Sequence, residues 1–299
     1  MNNRLPVLVL LASSVLWGLS WLPLKQINAM GIDGIFLTMG AYGILAVVLT
    51  PLLLRQRGQW LGHKKAMLMI LLLGGGANLA FTYALINGEV IRVMVLFYLL
   101  PVWGVLGGKF FLKERVDRWR RFGVVLAVTG AFIILGGFDA LAGAPGWIDL
   151  IALLSGLLFA MNNLVFRAAE AVPVASKITA MFYGCTGLAA LLLALGAEAL
   201  PAGVTTDAWL ALGLYALVWL LAANLGSQWG VSHMEAGRSS IIIIMELITA
   251  VVSATLIAGE RMSPWEMLGG VLILSAALIE ALRAKEEDLP EQTILTKEL

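Results

Sequence analysis

Residues 66–88 read AMLMILLLGGGANLAFTYALING, and no side chain among them carries a charge. At 1.5 Å of rise per residue, such a run is long enough to cross a hydrocarbon core of about 30 Å as a helix. Only Glu89 and Val90 separate it from a second run, 91–112, whose two charges, Arg92 and Lys109, stand near its ends. Working outward, the same pattern recurs at 5–24 and 34–54 before this pair. After it come 121–138, 148–166, 177–197, 208–232, 239–259 and 264–282. The joints are short and rich in turn or charged residues, as at 31–34 (Gly-Ile-Asp-Gly) and 143–146 (Gly-Ala-Pro-Gly). A β-barrel would show alternating segments of about ten residues instead of continuous apolar runs. The fold class expected is therefore an all-α integral membrane protein with ten transmembrane helices.

Composition agrees. Of 299 residues, 60% are hydrophobic and 13% charged, with a mean hydropathy of +0.91; soluble domains carry about 25% charged residues. A net charge of +1 supplies no basic field, so nucleic acid is excluded as a partner. The first apolar run exceeds a signal-peptide core and is flanked only by Arg4, so it reads as the first membrane helix. The single cysteine, Cys185, lies in an apolar run and reads as a small packing residue. With only His63 and His233 beside it, no metal site is expected. No Gly-x-x-x-x-Gly-Lys-Ser/Thr loop occurs, so neither ATP nor any cofactor is expected.

Charge orients the chain. With the N-terminus cytoplasmic, 17 of the 20 Lys and Arg residues fall inside, and only Lys25, Arg92 and Arg261 fall outside. That asymmetry is the positive-inside pattern, and it places both termini in the cytoplasm of an inner (plasma) membrane. The chain also repeats. Shifted by 146 positions, residues 77–126 align without a gap on 223–272: Asn78 falls on Asn224, Glu89 on Glu235, Arg92 on Arg238, Glu114 on Glu260, Arg115 on Arg261, Trp119 on Trp265 and Gly123 on Gly269. A shift of 142 aligns the first helices, setting Lys25 on Arg167. The domains are then a five-helix repeat at 1–138, a second and inverted five-helix repeat at 139–283, and a cytoplasmic polar tail at 284–299. Inverted halves suit a carrier, because they can rock about a site at the midplane.

Several motifs carry a resemblance over residues 5–282. They are Trp17-Gly18; Leu100-Pro101-Val102 followed by Phe111-Leu112-Lys113-Glu114-Arg115; Gly123 and Gly130; Met245-Glu246-Leu247; and Ala258-Gly259-Glu260-Arg261 with Gly269. In these the chain resembles the drug/metabolite transporter superfamily, in its EamA-type branch of ten-helix carriers. The resemblance implies a carrier of small metabolites, with helices 1, 3, 4, 6, 8 and 9 around a central cavity. Aromatic amino-acid exporters are the branch it resembles best. Where the family pattern reads Glu-Pro in helix 9, Leu247 stands in place of the proline.

The candidate site residues are those whose chemistry is out of place in hydrocarbon. Glu246 lies two turns into helix 9 in an otherwise uncharged stretch, where a carboxylate costs about 2.5–3.5 kcal/mol on insertion scales. It reads either as a partner for a substrate ammonium or a proton, or as a hydrogen-bonded clamp within the bundle. Asn78, Asn162, Asn163, Asn224 and Gln228 either join helices or bind solute. Trp17, Trp21, Tyr83, Tyr98 and Trp103 lie deep enough to line a pocket for an aromatic or apolar solute, packing being the plainer reading of each. Pro101 should kink helix 4 and is the candidate gating residue. Glu114-Arg115 and Glu260-Arg261 read as structural, at helix joints, and Ser263 to Glu266 as a capping box.

The expected function is secondary transport of a small molecule, amino acids favoured, by alternating access. The expected partners are that solute, the lipid bilayer and a coupling proton, with a monomer sufficient. An intramembrane enzyme would need paired catalytic groups in the helices, and a channel gives no reason for inverted halves.

Overall fold

Hydrophobic length sets the elements, and local breaks in hydrogen bonding set their ends. The computed structural model describes residues 4–111, 118–135, 146–234 and 236–287. Glu114, Arg115, Glu235, the 138/139 repeat boundary and the tail beyond 287 lie outside the described residues. The described residues form helices and no strand. In chain order they are α1 (Arg4–Gly18), α2 (Trp21–Ala29), α3 (Gly34–Arg55), α4 (Arg57–Trp60), α5 (Lys64–Asn87), α6 (Val90–Phe97) and α7 (Leu100–Phe111). Then follow α8 (Arg118–Ile134), α9 (Trp147–Ala168), α10 (Val174–Ala194), α11 (Thr206–Leu214), α12 (Leu221–Ser232), α13 (Ala236–Ser253) and α14 (Pro264–Glu287). π-Helical turns at Tyr215–Leu220 and Ala254–Ala258 link α11 to α12 and extend α13.

Among the described residues, seven helical stretches are long and apolar enough to cross a membrane: Leu5–Ala29, Gly34–Arg55, Arg57–Asn87, Trp147–Ala168, Val174–Ala194, Thr206–Val231 and Ile241–Ala258. Arg121–Ile134 and Pro264–Ile279 are shorter apolar helices. The stretch expected as helix 4 is divided between α6 and α7. Its break falls at Tyr98–Leu99, one turn before the expected kink, and Pro101 is the second residue of α7. The reason is chemical: proline has no N–H to give the carbonyl four residues back, so Phe97 ends one helix and proline starts the next. The first span also breaks, between α1 and α2. There the Ser20 hydroxyl, 2.9 Å from the Leu16 carbonyl, takes up an acceptor that the break leaves free.

The helices pack in related pairs. α8 lies along α14 and α3 along α10; α5 meets α9 and α10, while α1 meets α12 and α13. At the α8–α14 crossing a side chain on Gly130 would stand 2.5 Å from the Gly269 carbonyl oxygen, and one on Gly269 would stand 2.6 Å from that of Gly130. Only glycine lets the two backbones approach so closely. The 146-residue shift carries the pair 130/269 onto 276/123, and a side chain on Gly123 would lie 3.8 Å from the Ala276 oxygen.

Polar side chains close the helix ends. Glu260 accepts hydrogen bonds from the Val90 and Ile91 N–H groups at 2.8 and 2.9 Å, which caps α6. The structural role expected of the second Glu-Arg motif is therefore met by its glutamate. Ser263 and Glu266 form the expected capping box at α14, at 2.8 and 3.2 Å. Glu198 accepts from the Ile35 N–H at 2.8 Å, and the Gln56 side-chain oxygen accepts from the Ser176 hydroxyl at 2.7 Å. Lys25 donates to the Gly88 carbonyl beyond the end of α5, and Lys177 donates to Phe166 and Ala169 at the end of α9. Trp119, Trp147, Trp209 and Trp265 are exposed at helix ends, as anchors at a membrane boundary should be.

Candidate functional site

The break in the fourth span meets the one acidic residue deep in α13. Tyr98 sits at the break, buried, and its hydroxyl lies 3.1 Å from the Ile243 carbonyl oxygen. The same hydroxyl shares a hydrogen bond with the Glu246 carboxyl, one turn further along α13. Glu246 is half-buried, and α13 continues through Leu247 without a break. Its backbone side meets Gly18: a side chain there would stand 2.5 Å from the Glu246 carbonyl oxygen and 2.7 Å from Thr249 Cβ. The glycine of the Trp17-Gly18 pair thus allows α1 to touch α13, and Trp17 beside it is half-buried against the core. Further up the same contact, the Trp21 indole donates to the Ser253 hydroxyl at 3.0 Å.

An aromatic layer surrounds the break. Phe97 lies 4.4 Å from Phe81, 5.6 Å from Phe159 and 5.8 Å from Tyr98, centroid to centroid. A side chain on Gly156 would stand 2.7 Å from the Phe97 carbonyl oxygen, the acceptor that Pro101 leaves free. Trp103, in α7, is half-buried, and its indole N–H is buried without a partner. Phe81, Phe97 and Phe159 are absent from the sequence-derived candidates. In a chain this apolar a phenylalanine carries no signal of its own, and only the four-residue spacing of Phe97 from Pro101 could have marked one.

The amides divide between packing and exposure. Asn78 accepts from the Tyr42 hydroxyl at 2.9 Å and donates to Gly74 O at 2.8 Å. Asn162, 2% exposed, presses its side-chain oxygen on Gly74 and leaves that oxygen unpaired. Its neighbour Asn163 is exposed. Asn224 donates back to Leu220 O at 2.8 Å, next to the π-turn, and Gln228 is half-buried one turn later. Tyr83 is half-buried against the core. The Trp219 indole contacts Leu16 O at 3.0 Å and the Ser20 hydroxyl at 3.2 Å, which ties the π-turn to the break in the first span. The structure therefore joins Tyr98 to Glu246, sets Gly18 of the Trp17-Gly18 pair against the Glu246 backbone, holds Trp21 on Ser253 further along, and seats Asn78 on α5 and Asn162 on α9, where those two helices pack.

A charged cluster closes the end where α6, α9 and α14 begin. Arg92 makes two hydrogen bonds to Asp149, at 2.7 and 2.9 Å, and approaches Glu266 at 3.5 Å. Glu89, Glu260 and Arg261 line the same small cavity. Between α10 and α11, burial raises the Glu198 carboxyl above its usual range, and the bond from the Ile35 N–H opposes that shift. A lateral apolar groove of about 690 Å³ runs between α2 and α11, lined by Pro23, Ile27, Leu214, Tyr215 and Trp219 among others. Among the described residues, no group of three His, Cys, Asp or Glu side chains could hold a metal ion.

The profile of the EamA-like transporter family matches residues 4–136 and again residues 146–280. A riboflavin transporter of Rhizobium johnstonii (strain DSM 114642 / LMG 32736 / 3841) is 29% identical over 182 residues, covering 60% of this chain and 57% of that protein. The match thus spans little more than half the length of that relative. A crystal structure superposes over 95% of this chain and 99% of its own, with a TM-score of 0.56 at 16% identity, which speaks for the fold alone.

Proposed function

The chain belongs to the EamA-like transporter family, and from that premise we propose a secondary carrier that moves a small aromatic solute by alternating access. In this reading ten spans form two inverted five-helix halves, with both termini cytoplasmic in the inner membrane. The double match of the family profile supports the halves, as does the contact of Gly130 with Gly269 and its shifted counterpart at Gly123 and Ala276. Interrupted helices near a midplane are where carriers of inverted design bind solute. Here the first and fourth spans break on either side of Glu246.

The observation that carries the solute class is this junction: Phe81, Phe97, Phe159 and Tyr98 packed around the α6–α7 break, beside a single carboxyl. Aromatic walls favour an aromatic body, and one acidic group favours an ammonium or a hydrogen-bond donor over an anion. An aromatic amino acid has both parts, and export is the direction proposed. A flavin is the second reading, favoured by the name of the Rhizobium relative.

Proton coupling also has a geometry. The Tyr98 hydroxyl has one hydrogen and two acceptors within reach, Ile243 O and Glu246. When it donates to Ile243, its bond to Glu246 needs the proton of a neutral carboxyl. When Glu246 ionises, the hydroxyl can turn towards it. Asn162, Asn163, Asn224, Gln228 and Trp103 supply further polar edges to the passage, and the Pro101 break lets the fourth span flex.

Purified protein in proteoliposomes tests the reading, with labelled phenylalanine, tryptophan and riboflavin and with or without a proton gradient. Saturable counterflow of one of them is expected. Glu246→Gln should abolish the response to the gradient while leaving unfolding in detergent unchanged. Flux restricted to sugar phosphates or other strong anions would overturn the solute class. Normal gradient-driven flux in a destabilised Gln variant would leave Glu246 a clamp.

A further inference from the structure

A lateral groove occurs twice, each time between a helix of the first half and a helix of the second. One, of about 690 Å³, lies between α2 and α11. The other, of about 450 Å³, lies between α5 and α9. They are built from equivalent positions. The shift of 142 carries Pro23, Gln26 and Ile27 of the first groove onto Val165, Ala168 and Ala169 of the second. The shift of 146 carries Met69 and Leu73 of the second onto Tyr215 and Trp219 of the first. The side chain differs at every one of these positions, so the recess comes from how the helices cross. The grooves also open at opposite ends. α5 starts beside the second and runs 24 residues to Asn87, a length of about 36 Å. Just beyond that end, Lys25 of α2 donates to the Gly88 carbonyl at 2.8 Å, beside the first groove.

Both openings face hydrocarbon. Their walls belong to Leu5–Ala29 with Thr206–Val231, and to Arg57–Asn87 with Trp147–Ala168, all long and apolar enough to cross a membrane. Exposed apolar side chains flank them at equivalent positions again: Leu68 (56%) and Leu72 (48%) beside one, Leu214 (63%) and Val218 (61%) beside the other. A recess turned sideways into a bilayer meets acyl chains, and leaving it empty would forfeit the dispersion contacts of its lining. Charge adds a headgroup at the second groove. His63 and Ala66 both line it, and between them Lys64 and Lys65 are exposed at the start of α5. Lysines at a membrane surface attract anionic headgroups.

We propose that each groove seats an acyl chain of a bilayer phospholipid, and that the groove between α5 and α9 selects one with an anionic headgroup, met by Lys64 and Lys65. This rests on the membrane-carrier reading given above, which sets the start of α5 at the cytoplasmic face and the grooves in opposite leaflets.

The test uses the full-length protein in liposomes, without solute. Phosphatidylglycerol and phosphatidylcholine with the same chains, each carrying a diazirine on one chain, are added in trace amounts and photolysed, and the labelled peptides are mapped by mass spectrometry. Tail label is expected within 66–73 and 161–169, and within 23–30 and 211–219. At the α5–α9 groove phosphatidylglycerol should outlabel phosphatidylcholine about thirtyfold, equivalent to about 2 kcal/mol from two lysines. Lys64→Gln with Lys65→Gln should bring that ratio towards one. Ala168 and Ala29 line one groove each and are exposed, so a larger side chain there fills the groove without entering the core. Ala168→Phe should remove most of the label from its own groove and leave the other unchanged, and Ala29→Phe should do the reverse. The groove left unchanged shows in each case that the variant is folded. Label spread evenly over the lipid-facing helices, and unmoved by either phenylalanine, overturns the sites. Equal labelling by the two headgroups, or a ratio indifferent to the lysines, overturns the anionic lipid. Unlabelled grooves, with an oligomer in detergent that either phenylalanine splits, would give them to a second copy of the chain and overturn the lipid. No transport is read, so failure of the proposed solute or of proton coupling leaves these outcomes unaffected.

Discussion

Removing the Glu260 carboxylate uncovers two backbone N–H groups that nothing else on α6 can satisfy. Those of Val90 and Ile91 lie 2.8 and 2.9 Å from its two oxygens, and these residues are 0% and 5% exposed. A hydrogen bond to a charged group contributes about 1.5–3 kcal/mol, and losing an N-cap side chain costs about 0.5–2 kcal/mol. Glu260 itself is half-buried, so water screens part of the interaction and can reach part of the gap. Glu260→Ala should therefore cost about 2–3 kcal/mol, below the sum of two such bonds. Glu260→Gln keeps one carbonyl oxygen for one N–H and should cost about half as much. At about 2–4 °C per kcal/mol in chains beyond 150 residues, the alanine variant should unfold roughly 4–12 °C lower in detergent. Intrinsic tryptophan fluorescence on heating gives the midpoint, and titration with SDS gives an independent ranking. Glu89→Ala, next to the same helix start but exposed, is the control and should stay within about 0.5 kcal/mol. An alanine variant as stable as the parent, or a glutamine variant as damaged as alanine, would show that the cap contributes nothing.

Three further outcomes are expected. Gly18→Val puts carbon 2.5 Å from the Glu246 carbonyl oxygen, so α1 must move off α13. Overpacking of this kind costs about 1–3 kcal/mol, and detergent-extracted protein should show a lower midpoint and reduced flux together. Normal values of both would mean that α1 and α13 do not touch there. For Glu198 the folded carboxyl holds its proton above the usual range. Its contribution to stability is therefore greatest below about pH 4.3, the ordinary glutamate value, and is lost as pH rises through the raised folded value. Glu198→Gln should flatten the pH–stability curve over that window, and a variant curve parallel to the parent's would contradict the shift. Reporter fusions at Arg57, Gly143 and Leu299 should report inside, outside and inside; an external C-terminus would end both the orientation and the inverted halves.

Much of the architecture was legible before any coordinates, because membrane spans obey one coarse rule. A run such as 66–88 has no stable alternative to a helix in hydrocarbon, where every backbone N–H and C=O must be satisfied within the segment. The capping box at Ser263 was equally readable, since its two partners lie three residues apart. The fourth span was read only in part. Pro101 announced a disturbance, yet the helix ends at Phe97, and the site of the break depended on Gly156 offering room for the freed carbonyl. In the first span Pro23, the third residue of α2, stands four positions after Leu19 at the break, but the sequence reading drew no kink from it, and the Ser20 and Trp219 contacts that secure the break come from one residue nearby and another some 200 positions away. The candidate list shows the same limit. Glu246 stood out because a charge in hydrocarbon is costly wherever it lies, whereas Phe97 looked like any other apolar residue.

Sequence alone determined that this chain carries several helices apolar and long enough to cross a membrane, and one family pattern matches it twice along its length. Those properties depend on length, composition and periodicity, which local order along the chain is enough to express. Tertiary structure decided which polar groups meet. It put Tyr98 between Ile243 and Glu246, Arg92 on Asp149, and Glu260 on the start of α6, partners separated by 57 to 170 positions. Such pairings follow from how helices rotate and cross, and a change of one residue in that register would send each side chain to a different neighbour.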